Sequence, residues 1–262
     1  MSQTPYVEFV RTITSDVIAY LEKDVTRNAL DLWYLHNGDK RYELRVCRIK
    51  DDVRAHLGTY DTPEAIYSSL GGEPEAAVAL LNLIPSKTAL TTSKDLGDLV
   101  TNNLKHNSTY ANDIMVVGRE EVKLKNPDLA IRLSPDHLIQ YSAFGSSFNV
   151  TNVPMEWVQE CLERDIIFGV FLGDELVSVA SLVGRHPQVS VILGVETKPE
   201  FRNRGFGAIV VSAAVLEGLR LSNSCSLFVR VDNVYAISLY KALGFKKVGE
   251  ELWIDIGTGI IP

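Results

Sequence analysis

Arg202-Asn203-Arg204-Gly205-Phe206-Gly207-Ala208 is the stretch on which the fold turns. An alternating strand pattern (Val189, Val191, Leu193, Val195, Thr197) and a Pro199-Glu200 turn precede it, and an apolar helical run from Ile209 to Leu221 follows it. A glycine-rich turn that opens a helix gathers unpaired backbone N–H groups and the positive end of the helix dipole at one place, which suits an anion. Gly205 and Gly207 carry no Cβ, so a phosphate can approach the main chain there. Three patterns compete for this turn. A dinucleotide turn needs G-x-G-x-x-G, and Val210 stands where the third glycine belongs. A P-loop needs a Gly-Lys-Ser/Thr ending, and the stretch has none. The plain alternative is a tight strand-to-helix turn with two solvated arginines. The stretch alone leaves the anion site and the plain turn both open.

Composition narrows the class of protein around this turn. The chain has 262 residues, enough for two domains of ordinary size, with 46% hydrophobic and 23% charged residues, as in soluble globular proteins. A net charge of −7 argues against a general nucleic-acid or membrane-surface binder. Cys47, Cys161 and Cys225 show no C-x-x-C spacing, which excludes a zinc ribbon or disulfide scaffold and suits a reducing compartment. Each reads as a small buried hydrophobe. The N-terminal MSQTPYVEF has no signal-peptide pattern, and no apolar run reaches membrane-spanning length, so the expected location is cytoplasmic.

The charged stretch from Glu120 to Pro127 divides the chain into residues 1–126 and 127–262. In the first part, Ser15-Asp16 and Thr26 start helices, and Tyr42–Ile49 and Arg54–Tyr60 read as strands. A helix from Pro63 to Leu70, a Gly71-Gly72 break, a helix or strand from Ala76 to Ile84 and a strand near Thr88–Thr91 follow. A helix from Asp95 to Leu104 and a strand at Ile114–Gly118 end this part. The second part opens with a strand at Leu129–Leu133, a helix start at Ser134-Pro135-Asp136 and a polar loop from Ser142 to Asn152. A helix through Trp157 and Leu162 leads to a hairpin, Ile166–Leu172 and Leu176–Val183, joined by Gly173-Asp174. Beyond the glycine turn come a strand at Leu227–Val231, a helix at Val234–Leu243 and a strand at Phe245–Ile254.

A second motif follows the first by about thirty residues: Asn233-Val234-Tyr235-Ala236-Ile237-Ser238-Leu239-Tyr240, closing with Leu243-Gly244-Phe245. The Arg-x-x-Gly-x-Gly turn and this Asn-x-x-Ala-x-x-x-Tyr-x-x-x-Gly-Phe pattern, in this order, resemble the GNAT superfamily of N-acetyltransferases over roughly residues 128–256. The resemblance implies a mixed, mainly antiparallel sheet flanked by helices (an α/β, or α+β, fold) with acetyl-CoA as co-substrate and no metal. It also implies that the amides of Asn203, Arg204, Gly205, Phe206, Gly207 and Ala208 cap the pyrophosphate, with Arg202 and Arg204 adding charge at its rim. Gly194 interrupts the preceding strand and suits a bulge that splays two strands. In this family the pantetheine arm lies in such a splay, which here would expose backbone groups of Val195, Glu196 and Thr197.

Tyr240 shares a helix face with Ala236, Leu239 and Leu243. It is either a core tyrosine or, as the motif tyrosine, the acid that protonates the departing thiolate. Asn233 is a plain N-cap, or a cap that also touches the cofactor. The general base stays open. Glu196 is one candidate, against a solvated strand glutamate; His186, before Pro187, is another; and a third alternative is no base at all, with the amine arriving deprotonated. The family's earlier strand glutamate is not matched, since Ser190 and Val191 occupy that region. A backbone N–H near Val195 would stabilise the oxyanion.

The first part lacks an arginine–glycine loop and carries Gly71-Gly72-Glu73-Pro74 instead. Its order of elements loosely resembles the degenerate acetyltransferase-like half of glycine N-acyltransferase-like proteins; a separate α/β cap that lines the acceptor pocket is the alternative. The expected activity is acetyl transfer to a primary amine, on a small molecule or a peptide, by direct attack on the thioester. A non-catalytic acyl-CoA-binding or sensing protein is the rival.

Overall fold

The computed structural model describes residues 4–146 and 153–259. In chain order its elements are β1 (Tyr6–Phe9), α1 (Ser15–Leu21), α2 (Ala29–Asn37), β2 (Tyr42–Ile49), β3 (Asp52–Asp61), β4 (Ile66–Gly72), α3 (Pro74–Ala77), β5 (Thr88–Thr92), α4 (Lys94–Asn103) and β6 (Ser108–Gly118). They continue with β7 (Ile131–Arg132), α5 (Leu138–Ser146), α6 (Met155–Arg164), β8 (Ile166–Leu172), β9 (Glu175–Arg185), β10 (Val189–Thr197), α7 (Phe206–Leu221), β11 (Ser224–Arg230), α8 (Val234–Ala242) and β12 (Lys246–Ile256). Contacts group the chain into two units. The first takes Met1–Ile114, Val229–Val231 and Gly249–Pro262; the second takes Met115–Phe228 and Asp232–Val248. The units therefore differ from the consecutive segments 1–126 and 127–262, because the first unit includes the end of the chain.

In the first unit the strands run in the order β1-β2-β3-β4-β5, and β12 pairs antiparallel with β5, Leu252 opposite Thr92 and Ile256 opposite Thr88. Alternation gives each face of this sheet its own core. Leu57, Leu70, Leu90 and Ile254 pack under α3 and α4 with Ala77, Leu96 and Val100. Leu44 and Val46 pack under α1 and α2 with Val17, Leu21 and Leu32.

The second unit orders its strands β11-β10-β9-β8-β7, all antiparallel except the parallel pair β10–β11. Helix α7 is apolar nearly all round and buries Val210, Val211, Ala214 and Val215, with contacts to β8, β9 and β10. On the other face α5 and α6 cover Ile167, Leu176 and Val179 with Phe144 and Leu162.

Several expected elements differ. Residues 66–70, expected within a helix from Pro63 to Leu70, instead form, with the expected Gly71-Gly72 break, the strand β4 (Ile66–Gly72). Thr62 ends a tight turn there, taking the amides of Glu64 and Ala65 on its hydroxyl, and the next residues find partners on both β3 and β5. Ala76 to Ile84 is neither one helix nor a strand: α3 gives way to a 3-10 helix, Val78–Leu83. Leu129–Leu133 holds only the two-residue strand β7 after a 3-10 turn at Pro127–Leu129. Residues 142–146 of the expected polar loop are helical, and residues 147–152 lie outside the described residues. Strand β1 was not expected from the sequence.

Candidate active site in the second unit

Strand β10 opens the site. It pairs with β11 only from Val189 to Val191, against Ser224 to Ser226. Residues 192–197 continue β10 with no partner on that side among the described residues. On the β9 side the register slips between Leu193 and Glu196, where three steps on β10 oppose two on β9. Gly194 sits in that slip at φ +58°, a left-handed conformation that costs a residue with a Cβ about 1–2 kcal/mol. The expected bulge and splay are therefore both present. Backbone groups of Val195, Glu196 and Thr197 line one wall of the open V.

The glycine turn closes the far end of that wall. Gly205 precedes α7 as its N-cap in a left-handed conformation, φ +86°, and Asn203 is also left-handed at φ +61°. Gly205 offers no side-chain cap, so the first-turn amides of Phe206, Gly207 and Ala208 keep their donors for an external acceptor. A Cβ on Gly205 would meet nothing within 4 Å, which marks an open cradle. The two arginines are positioned differently. Arg202 donates from Nε to the Thr197 carbonyl at 3.0 Å, and the Arg204 guanidinium lies 5.3 Å from the centre of the Phe201 ring.

Thr197 is anchored from below. Its hydroxyl lies 2.8 Å from that of Ser178, which also donates to the Glu196 carbonyl at 2.9 Å. Ser178, wholly buried on β9, carries no sequence signal for this contact. Only its register opposite Thr197 reveals the contact.

Asn233 caps α8, its side-chain oxygen accepting from the Ala236 amide at 3.1 Å. One turn further on, Leu239 comes within 3.2 Å of the position a Cβ on Gly207 would take. This contact sets α8 against the glycine turn. Tyr240 is buried at 6% exposure, its ring tilted against Phe245, and its hydroxyl has no hydrogen-bond partner among the described residues. Burial and then the negative charge of Glu196 hold its pKa above the ordinary tyrosine value. The Glu196 side chain reaches solvent, yet surrounding protein desolvates its carboxyl and raises its pKa, with Arg202 opposing the shift. The fold thus sets Glu196 and Tyr240 within electrostatic reach of one another at the mouth of the V.

His186 is not brought to this site. It forms the turn between β9 and β10, where its Nδ1 accepts from the Gln188 amide, at the opposite end of β10 from the glycine turn. Nine strand residues separate the two ends, roughly 30 Å. Cys225 is buried, with its thiol pushed up to about 12 by desolvation, which suits packing and not nucleophilic chemistry. Among the described residues, no group of three or more His, Cys, Asp or Glu is placed to hold a metal, and no helix is long and apolar enough to cross a membrane.

A splayed parallel strand pair, a bulge, and a glycine turn capping the following helix together define an acyltransferase fold of the GNAT type. Residues 167–254 match the FR47-like protein family, so the C-terminal region of this chain is an FR47-like domain of the GNAT superfamily. The chain is 29% identical over 90 residues to the uncharacterized N-acetyltransferase YvbK of Bacillus subtilis; that match spans 34% of this chain and 58% of the relative. Among solved structures, a Drosophila protein superposes with a TM-score of 0.71 at 13% identity, covering 98% of this chain and 100% of its own. A tandem GNAT protein from the clavulanic acid biosynthesis pathway superposes at 0.53 and 13% identity, covering 96% of this chain and 99% of its own. These likenesses concern the fold.

Proposed function

We propose that the second unit is an N-acetyltransferase that moves an acetyl group from acetyl-CoA to a primary amine by direct attack. The observation that carries this reading is the six-residue stretch of β10 left without a β11 partner, leading directly into uncapped helix amides. An extended pantetheine arm can add itself to that open edge as a further strand would. The pyrophosphate then meets the amides of residues 203–208, with Arg202 and Arg204 at its rim.

The chemistry follows from the two titratable groups at the mouth. The amine nitrogen forms a bond to the thioester carbon and passes a proton to the Glu196 carboxylate, directly or through water. The Val195 amide at the bulge stabilises the charge on the carbonyl oxygen. As the C–S bond breaks, Tyr240 gives its proton to the departing sulfur. Its raised pKa keeps that proton in place at neutral pH. A carboxyl whose pKa is raised toward neutrality is a better base than an ordinary surface glutamate.

Thiol release from acetyl-CoA over a panel of amines and peptides tests the reading. Release that depends on an amine supports it. Tight acetyl-CoA binding with no release under any acceptor would instead indicate an acyl-CoA sensor. The first unit is proposed to be the degenerate partner half of such an enzyme, without a cofactor site of its own.

A further inference from the structure

One hydroxyl interrupts an apolar row that crosses the second unit's sheet at the bulge. Ser181 on β9 lies between Ile167 on β8 and Leu193 on β10, directly opposite each. Residues directly opposite one another on antiparallel strands share a face, and Ile167 packs with Phe144 and Leu162, so Ser181 faces the α5 side. It is 8% exposed, and its hydroxyl has no hydrogen-bond partner among the described residues.

Neighbouring serines close their hydroxyls within the fold. Ser178 donates to the Glu196 carbonyl, Ser190 and Ser222 meet at 2.7 Å, and Ser212 accepts from the Lys125 amide. Ser226 shares the lack of a partner, but its oxygen is sealed from solvent opposite Val191, where β10 and β11 still pair. A buried hydroxyl without a partner costs stability, so an apolar residue would serve Ser181's row better unless an outside group completes the bond.

The Ser181 hydroxyl opens onto the bulge. Its oxygen lies 3.7 Å from where a Cβ on Gly194 would stand, and apart from chain neighbours no other described atom lies within 4 Å of that point. Gly194 is itself exposed, and the next residue is Val195, whose amide is the oxyanion donor of the proposed mechanism. Val179, two residues before Ser181 and on the same face, opposes Glu196. Glu196 is therefore the diagonal neighbour of Ser181, about 7–8 Å away between Cα atoms and within reach of a long side chain.

We propose that Ser181 is a catalytic residue of the acetyl transfer, its hydroxyl linking the attacking amine to the Glu196 carboxylate, directly or through one water. The inference rests on the acetyl-transfer reading and adds the group between nucleophile and base. The shared face decides the role: the hydroxyl meets an amine arriving at Glu196, while the thioester oxygen turns to the Val195 amide. As the N–C bond forms, the nitrogen gives its surplus proton to the Ser181 oxygen, and Ser181 gives its own to Glu196. The C–S bond then breaks, and Tyr240 protonates the sulfur. Ser181 ends as it began, with no acyl-serine. Glu196 ends protonated and Tyr240 deprotonated, and exchange with solvent restores both.

The test measures amine-dependent thiol release from acetyl-CoA by the wild type, Ser181→Ala, Glu196→Gln and the double variant. Calorimetry reports acetyl-CoA affinity, and thermal unfolding reports the fold. Ser181→Ala should lower kcat by roughly 10²-fold and leave acetyl-CoA affinity unchanged. Its Tm should be equal or higher, since no bond within the fold is lost. Glu196→Gln should add little to Ser181→Ala, because both break one chain of proton transfer, whereas independent effects would multiply. Full turnover in Ser181→Ala, or losses that multiply in the double variant, overturn the relay and leave the acetyl-transfer reading standing. A Tm that falls in step with turnover assigns Ser181 a structural role and also overturns it. If the wild type releases no thiol with any amine, the acetyl-transfer reading falls and the relay with it.

Discussion

Each unit contains a pair of parallel neighbouring strands, and the two pairs are treated in opposite ways. In the first unit β4 and β5 pair from Tyr67–Ala89 to Leu70–Thr92, and hydroxyls stitch them further. Thr92 donates to the Leu70 carbonyl at 2.8 Å, Thr91 to the Ser68 carbonyl, and the Thr88 and Ser68 hydroxyls meet at 2.8 Å. In the second unit β10 parts from β11 after Val191, with a bulge at Gly194 and a helix whose N-terminal amides are left uncapped. The strand that follows a closed pair has nothing to offer a cofactor. The open pair leaves backbone donors and acceptors free of protein partners on that side, among the described residues. The difference lies in a handful of side chains: threonines that consume main-chain acceptors on one side, glycines that free main-chain donors on the other.

The largest expected effect comes from filling the open cradle. Gly205→Glu should weaken acetyl-CoA binding by roughly 10³-fold, since it sets a carboxylate at the proposed pyrophosphate cradle and forces a Cβ into a left-handed residue. Calorimetry on the folded variant checks this, and retained affinity would move the cofactor elsewhere. The two raised carboxyls give the next contrast. Glu251, buried on β12 in the first unit and hydrogen-bonded to Asn112, has its pKa raised by desolvation to about 7. Its proton is held more tightly in the folded than in the unfolded chain, so stability is highest at and below about pH 4.5, falls as pH rises toward about 7, and is level above. The whole loss is about 3 kcal/mol. Glu251→Gln should abolish that slope and raise the urea midpoint at pH 8 but not at pH 4.5. Identical slopes in both proteins would mean that another group titrates.

Tyr240→Phe should lower turnover by about 10²-fold with acetyl-CoA affinity nearly constant. Equal turnover would remove Tyr240 as the acid. The smallest effect belongs to the closed pair. Thr92→Val should cost about 1 kcal/mol through the lost bond to Leu70, seen as a lower Tm, and leave acetyl-CoA binding as it was. A variant that gained acetyl-CoA binding in the first unit would show that the stitches alone keep a second site shut.

What the sequence revealed was what local chemistry imposes. The glycine turn, the Gly194 bulge, the Gly173-Asp174 hairpin and the Asn233 cap each need particular residues at particular φ angles or hydrogen-bonding positions, and each stands where the pattern placed it. Less legible were the features decided by distant partners. Ile66 to Leu70 carries no helix-breaking residue, and only pairing with β3 and β5 makes it a strand. Ser178 looks like any strand serine until Thr197 is placed opposite. Of the candidate bases, His186 was separated from the site by the length of β10, a distance that a residue list does not express, whereas Glu196 depended on the bulge to settle which face it occupies.

The pairing of β12 with β5 joins residues 160 positions apart in the chain, Thr92 and Leu252. Synthesis of the first unit's other strands ends long before its last one exists. During translation β5 must wait with an unpaired edge, an invitation to pair with another chain. Ser93, Lys94 and Asp95, polar residues directly after that edge, stand beside the exposed strand through the interval. Completion of this unit thus waits for β12, and its folding rate carries the entropic cost of the longest loop closed among these pairings.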